Sequence, residues 1–177
     1  MILLLAAAAA LAQAAPLTVA EARASMVGRW EGKLEYRDYQ ADAWFGLPMK
    51  VDIRDAGDGV TQIRTADFDD GPRTGIVRIT GVAMLAKDGV TETGASFRKG
   101  KDVSLDTARL ALKPGPASAT NWTLVAEQTA TDDNRPARLR ETTTRTGDTM
   151  VTLKEVDFID DQGEAWLVRN RTTLKRM

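Results

Sequence analysis

Apolar and polar residues alternate with a period of two along most of this chain. Trp30, Gly32, Leu34 and Tyr36 hold one parity, while Glu31, Lys33, Glu35 and Arg37 hold the other. Successive side chains of a strand point to opposite faces, so the spacing predicts a strand with one buried and one wet face. Leu47, Met49, Val51 and Ile53 repeat the pattern against Lys50, Asp52 and Arg54. Further strand-like runs lie near 60–68, 74–85, 89–98, 103–112, 120–130, 137–145, 149–159 and 164–175. In the run from Thr149 to Ile159 the parity changes: Val151 and Leu153 disagree with Val156 and Phe158. A bulge near Lys154-Glu155 would reconcile them.

Turn residues separate the runs at short intervals, among them Ala56-Gly57-Asp58-Gly59, Lys87-Asp88-Gly89, Lys99-Gly100-Lys101 and Thr146-Gly147-Asp148. Glycine supplies positive φ, and Asp or Asn bonds its own backbone, so these are turns with a mechanism. About ten short strands at this spacing predict an all-β, antiparallel up-and-down barrel of eight to ten strands, with an open sandwich as the competing architecture. One short helix precedes the strands. Thr18 and Glu21 form a capping box, Val19, Ala22 and Met26 share a face, and Gly28 ends the helix.

Gly28-Arg29-Trp30, placed between that helix and a meander of strands, resembles the start of strand one in the lipocalin-like barrels of the calycin superfamily. The resemblance implies a barrel whose last strand closes on the first, with a basic residue near its end packed across the tryptophan. Arg176 shares parity with Trp166, Val168 and Leu174, so it is the residue assigned to Trp30, with Gly28, Trp30 and Arg176 as the closure set. Arg169 and Arg171 then face solvent. The resemblance also implies that the barrel interior or its mouth holds a small hydrophobic ligand. Tyr36 lies on the inward parity, and Trp44-Phe45-Gly46 is read as the connection after strand one, so Tyr36, Trp44 and Phe45 are the candidate ligand-binding residues, the two loop aromatics acting as a lid or as a plug. Trp122 and Trp166 are read as core.

The first residues, Met1 to Ala15, read as the apolar core of a secretory signal peptide, with Ala12-Gln13-Ala14 as the cleavage pattern. The expected organisation is a signal peptide at 1–14 and one domain at 15–177, exported to the periplasm or beyond the cell. That domain is long enough to bury a core of its own. Net charge is −1 from 24 basic and 25 acidic residues that are mixed along the chain, a balance with no footprint for nucleic acid.

Cysteine and histidine are both absent. This removes disulfides, thiol nucleophiles, Ser-His-Asp chemistry, ordinary zinc sites and His-ligated haem. No cofactor and no metal is expected. Asp67, Asp69 and Asp70 could offer oxygen ligands to calcium, but acidic residues are ordinary in tight turns, and Asp160-Asp161 reads the same way. Catalysis would have to rest on carboxylates such as Asp38 and Asp42, or on tyrosine, and no spacing argues for it. Arg135, Arg138, Arg140 and Arg145, together with Arg169 and Arg171, are read as an outer face paired across strands with Glu141, Glu155, Asp157 and Glu164. The leading expectation is an exported binding protein for a small hydrophobic ligand. The alternative is a structural or interaction protein of the cell envelope with a filled barrel.

Overall fold

The computed structural model describes residues 16–161 and 163–177. The signal-peptide reading of 1–14 lies outside the described residues. An eight-residue helix, α1 (Val19–Met26), is followed by ten antiparallel strands: β1 (Gly28–Asp38), β2 (Ala43–Asp55), β3 (Thr61–Asp69), β4 (Ile76–Leu85), β5 (Thr91–Arg98), β6 (Ser104–Leu112), β7 (Asn121–Asp132), β8 (Arg135–Thr146), β9 (Thr149–Phe158) and β10 (Leu167–Arg176). A four-residue helical turn, α2 (Gly71–Thr74), links β3 to β4. Each strand pairs with its sequence neighbours, and β10 pairs with β1, which closes the barrel. Among the described residues no helix is long and apolar enough to cross a membrane.

The closing seam brings the first and last strands together at the tryptophan. Trp30 pairs in register with Arg176 on one side and Val51 on the other. Trp30 is fully buried, and the Arg176 guanidinium lies 4.5 Å from its ring centroid. Gly32 makes this approach possible: a Cβ there would come within 1.9 Å of the Thr173 carbonyl oxygen. At Gly28, whose φ is +137°, a Cβ would meet the Arg176 Nη1 at 2.5 Å.

Helix α1 lies across the barrel end formed by the start of β1 and the end of β10. The capping box forms, with the Glu21 N–H donating to Thr18 Oγ1 at 3.2 Å and the Thr18 N–H donating to Glu21 Oε2 at 2.8 Å. The last carbonyls of a short helix have no partner within it. Here the barrel supplies donors: Trp30 Nε1 to Met26 O at 2.8 Å, Arg176 to Ser25 O and Val27 O at 2.9 and 3.1 Å, and Arg145 to Ser25 O. The two guanidinium charges also suit the negative end of the helix dipole. Arg23 is 3 % exposed and ties the helix to the wall by an ion pair with Glu92 at 2.6 Å and bonds to Val60 O and Ala83 O. Trp30, Trp122, Leu110, Leu124, Met150 and Leu174 fill this end beneath α1 as the main core.

Four expectations are corrected. Trp44-Phe45-Gly46 is not a loop: it forms the start of β2, where Trp44 pairs with Arg37 and Phe45 with Tyr36. Trp166 is not core: it precedes β10 and lies on the outer surface under Arg140, at 3.9 Å, with its Nε1 donating to Glu164. Arg145 and Glu141 do not belong to the outer face, because β8 turns both inward with Leu139. The bulge expected near Lys154-Glu155 in β9 does not form, so Val151 and Leu153 keep the parity opposite to Val156 and Phe158; a different bulge lies in the neighbouring strand. β9 runs in unbroken register with β8, while β10 carries the extra residue Arg169 between Val168 and Asn170. Trp166 and Val168 therefore lose the parity that Leu174 and Arg176 keep.

Candidate functional site

A cavity of about 440 Å³ occupies the barrel interior below α1. Its inner end is apolar, with Ile53, Leu110, Leu124, Met150 and Leu174 among its lining. Its middle is a belt of polar and charged side chains. In register, Asn170 lies beside Lys154, Lys154 beside Glu141, and Glu141 beside Ala126. Arg64 enters from β3, where it sits between Ile53 and Gly81. Gln62, Asp106, Gln128, Thr143, Thr152 and Thr172 complete the belt.

Arg64 is the most unusual group of the site. Protein surrounds it, although solvent in the cavity reaches its guanidinium. Burial pulls its pKa below the ordinary arginine value, and the Glu141 carboxylate opposes that shift. Among the described residues Arg64 makes no ion pair within 4.0 Å, and Glu141 and Lys154 make none either, although they face each other across strands. Elsewhere the barrel pairs its charges readily: Asp67 takes two 2.6 Å bonds from Arg78, and Glu35 takes two from Arg171. Glu141 is exposed and Arg64 and Lys154 are half-buried, and charges gathered unpaired on a cavity wall point to function more than to stability. Thr143 and Thr152 bond each other at 2.9 Å, and Gln62 donates to Arg23 O at 2.7 Å.

The residues nominated from sequence lie outside this cavity. Tyr36 and Phe45 stack on each other at 5.4 Å, at the barrel end opposite α1, and are 37 % and 57 % exposed. Trp44 faces outward, with Arg171 at 4.6 Å and Arg37 at 5.6 Å over its ring. Near that end a second apolar cluster of Ala137, Leu139, Val156 and Phe158, packed with Ala130, fills part of the bore. Arg169 covers Phe158 and pairs with Asp132. The acidic residues considered for metal or catalysis do local work. Asp69 accepts from the Gly71 N–H, Asp38 from the Gln40 and Ala41 N–H groups, Asp42 from Arg37, and Asp160 from Arg135.

Two solved structures align over most of this chain. One is the crystal structure of Rv2717c from M. tuberculosis, which matches with a TM-score of 0.60 at 12% identity, over 90% of this chain and 97% of that one. A DUF3598 protein of unknown function from Nostoc punctiforme PCC 73102 aligns over 92% of this chain and 100% of its own at 8% identity, but its TM-score of 0.26 carries no weight. No family model matches the chain. No curated protein sequence matches it. The likeness supports the ten-stranded barrel and names no lipocalin family.

The signal for Arg64 was present in the sequence but inverted. In β3 the alternation rule turns Ile63 inward and Arg64 outward. The register says otherwise: the turn at Ala56–Gly59 sets Arg64 opposite the inward Ile53, and Ile63 opposite the outward Arg54. Hairpin register, carried over from the unambiguous β2, would have found the polar belt.

Proposed function

We propose that this protein is an exported binding protein that holds one small amphipathic molecule in the barrel. The supporting observation is the cavity, with its apolar inner end and its unpartnered Arg64, Glu141 and Lys154. Its volume of about 440 Å³ falls in the ordinary range for small-molecule pockets, ~300–1,000 Å³. An apolar body would rest against Leu110, Leu124 and Met150, and a polar end would meet the belt, with an acceptor or negative charge against Arg64. The lining thus refines the expectation of a purely hydrophobic ligand. A cavity of this size speaks against a side-chain-filled barrel. Export rests on the reading of residues 1–14 as a signal peptide.

Anilinonaphthalene sulfonate carries both an apolar ring system and an anion, which makes it a direct probe. Fluorescence titration should give saturable binding that Arg64→Met weakens by about tenfold or more, the worth of a charge-assisted hydrogen bond. Glu141→Gln should tighten the same probe, because it removes a like charge. If neither substitution moved the affinity, the belt would not be a recognition site. Native mass spectrometry of protein purified from its own host then identifies the natural occupant.

A further inference from the structure

Every adjacent pair of strands in this barrel is hydrogen-bonded, but one ladder is cut short. β6 and β7 share only four pairs, from Arg109–Glu127 to Leu112–Leu124, where β1 and β2 share eleven. Beyond Arg109, residues 104–108 of β6 pair with β5 alone, and residues 128–132 of β7 pair with β8 alone. The two strands therefore splay toward the end opposite α1. Asp106 reports the consequence: it lines the interior cavity and yet is exposed. Outside the splay lies a groove of about 520 Å³ that includes Arg138, Glu164 and Trp166. Ala108 and Gln128 line both this groove and the interior cavity.

The ends of the barrel offer poorer access. α1 and the two buried tryptophans close one. At the other, the cluster around Val156 and Phe158, the Arg169–Asp132 pair and the Tyr36–Phe45 stack occupy much of the rim, and of these side chains only Leu139 of the cluster reaches the cavity lining. We propose that the ligand of the interior site enters and leaves sideways, through the opening between β6 and β7, with Asp106, Ala108 and Gln128 as its threshold and Trp166 and Arg138 as its outer approach. This inference rests on the binding reading given above. It adds a route that the fold alone does not require, since a barrel can also load through an end.

The absence of native cysteine makes the test direct. Extending the β6–β7 register places Thr107 opposite Thr129, both exposed and outward. A Thr107→Cys/Thr129→Cys variant is bridged with bis-methanethiosulfonate reagents of increasing length, and stopped-flow association and release of anilinonaphthalene sulfonate are followed. Bridging should slow both rates by about tenfold or more while leaving the equilibrium affinity within ~2-fold, as expected for a gate. Dithiothreitol should restore the rates. A bulky maleimide adduct on Ala41→Cys, at the tip of the β1–β2 turn, serves as the comparison at the barrel end and should leave the rates unchanged. If the Ala41 adduct slows exchange and the bridge does not, loading is through the end and the lateral route is wrong, while the cavity reading stands. If the wild-type protein shows no Arg64-dependent binding, the cavity reading itself fails and takes the route with it. Circular dichroism of each bridged variant separates a blocked opening from an unfolded barrel.

Discussion

Gly32 illustrates how much a single residue decides here. It holds an inward position in β1, between the large side chains of Trp30 and Leu34. A methyl at that point would overlap the Thr173 carbonyl oxygen and lie within 3.0 Å of Leu174 Cα, both backbone atoms of β10. Backbone cannot swing aside as a flexible side chain can, so the closing ladder itself would have to move. Gly32→Ala should cost about 3 kcal/mol, the upper range for overpacking, and lower the melting temperature by ~10 °C in a domain of this size. Thermal denaturation followed by circular dichroism checks this, and a shift under ~2 °C would mean that β10 adjusts without strain. The alternation rule placed Gly32 on the correct face but could not disclose why it is glycine, because the colliding atoms lie 141 residues away in β10. Arg64, Glu141 and Lys154 were hidden for a related reason. Their inward direction comes from register, and a charged side chain in an alternating strand is read as facing outward.

The strands themselves were largely legible. Ten runs were read and ten strands form, with ends that agree to within a few residues, because turn chemistry and period-two patterning reinforce each other in an antiparallel meander. The helix was legible in its capping box, but its task was not. α1 is an end-piece joined to the barrel by side chains that no local pattern relates to it. Arg23 is the main bolt on the β4–β5 side, bonded to Glu92 and two carbonyls. Arg23→Met should destabilise the fold by about 3 kcal/mol, because it leaves the half-buried Glu92 carboxylate unpaired and removes a donor from the Val60 and Ala83 carbonyls. The double variant Arg23→Met/Glu92→Leu should recover part of that loss, since an unpaired carboxylate is worse than none. Urea denaturation of the single and double variants tests the coupling. Strictly additive losses would show that the pair does not hold the helix.

On the scale of the whole molecule, the charges are divided. The outer wall from β7 through β10 to β1 is laced with ion pairs, Arg138–Asp157, Arg140–Glu155 and Arg171–Glu35 among them. The backbone N–H of Ala165 and the Arg138 guanidinium hold the Asp157 carboxyl below its usual range. Lys33 does the same for Glu35 against an opposing effect of burial, and Arg171 assists. Asp88, bonded by Thr91 and the Val90 and Thr91 N–H groups, is lowered to about 2. Each of these folded-state values lies below the unfolded one. Their stabilisation is therefore complete above the unfolded carboxylate range, near pH ~4–4.5, and is lost as pH falls through the folded values, for Asp88 toward pH about 2. No side chain has an ordinary pKa between pH ~5 and 8 in a chain without histidine or cysteine. The melting temperature should therefore be flat from pH ~5.5 to 8 and fall below pH ~4. A marked slope on the plateau would contradict this reading.

The short β6–β7 ladder has one more consequence. The loop joining these strands, with Pro114-Gly115-Pro116, lies beside the shortest ladder of the cylinder, while the Met177 N–H donates to Arg29 O at 3.0 Å across the β1–β10 seam. Severing the chain at Gly115 would give two pieces, β1–β6 and β7–β10, that already know how to find each other through β1 and β10. Such halves are suited to fragment complementation, in which an occupant of the interior would favour their reunion.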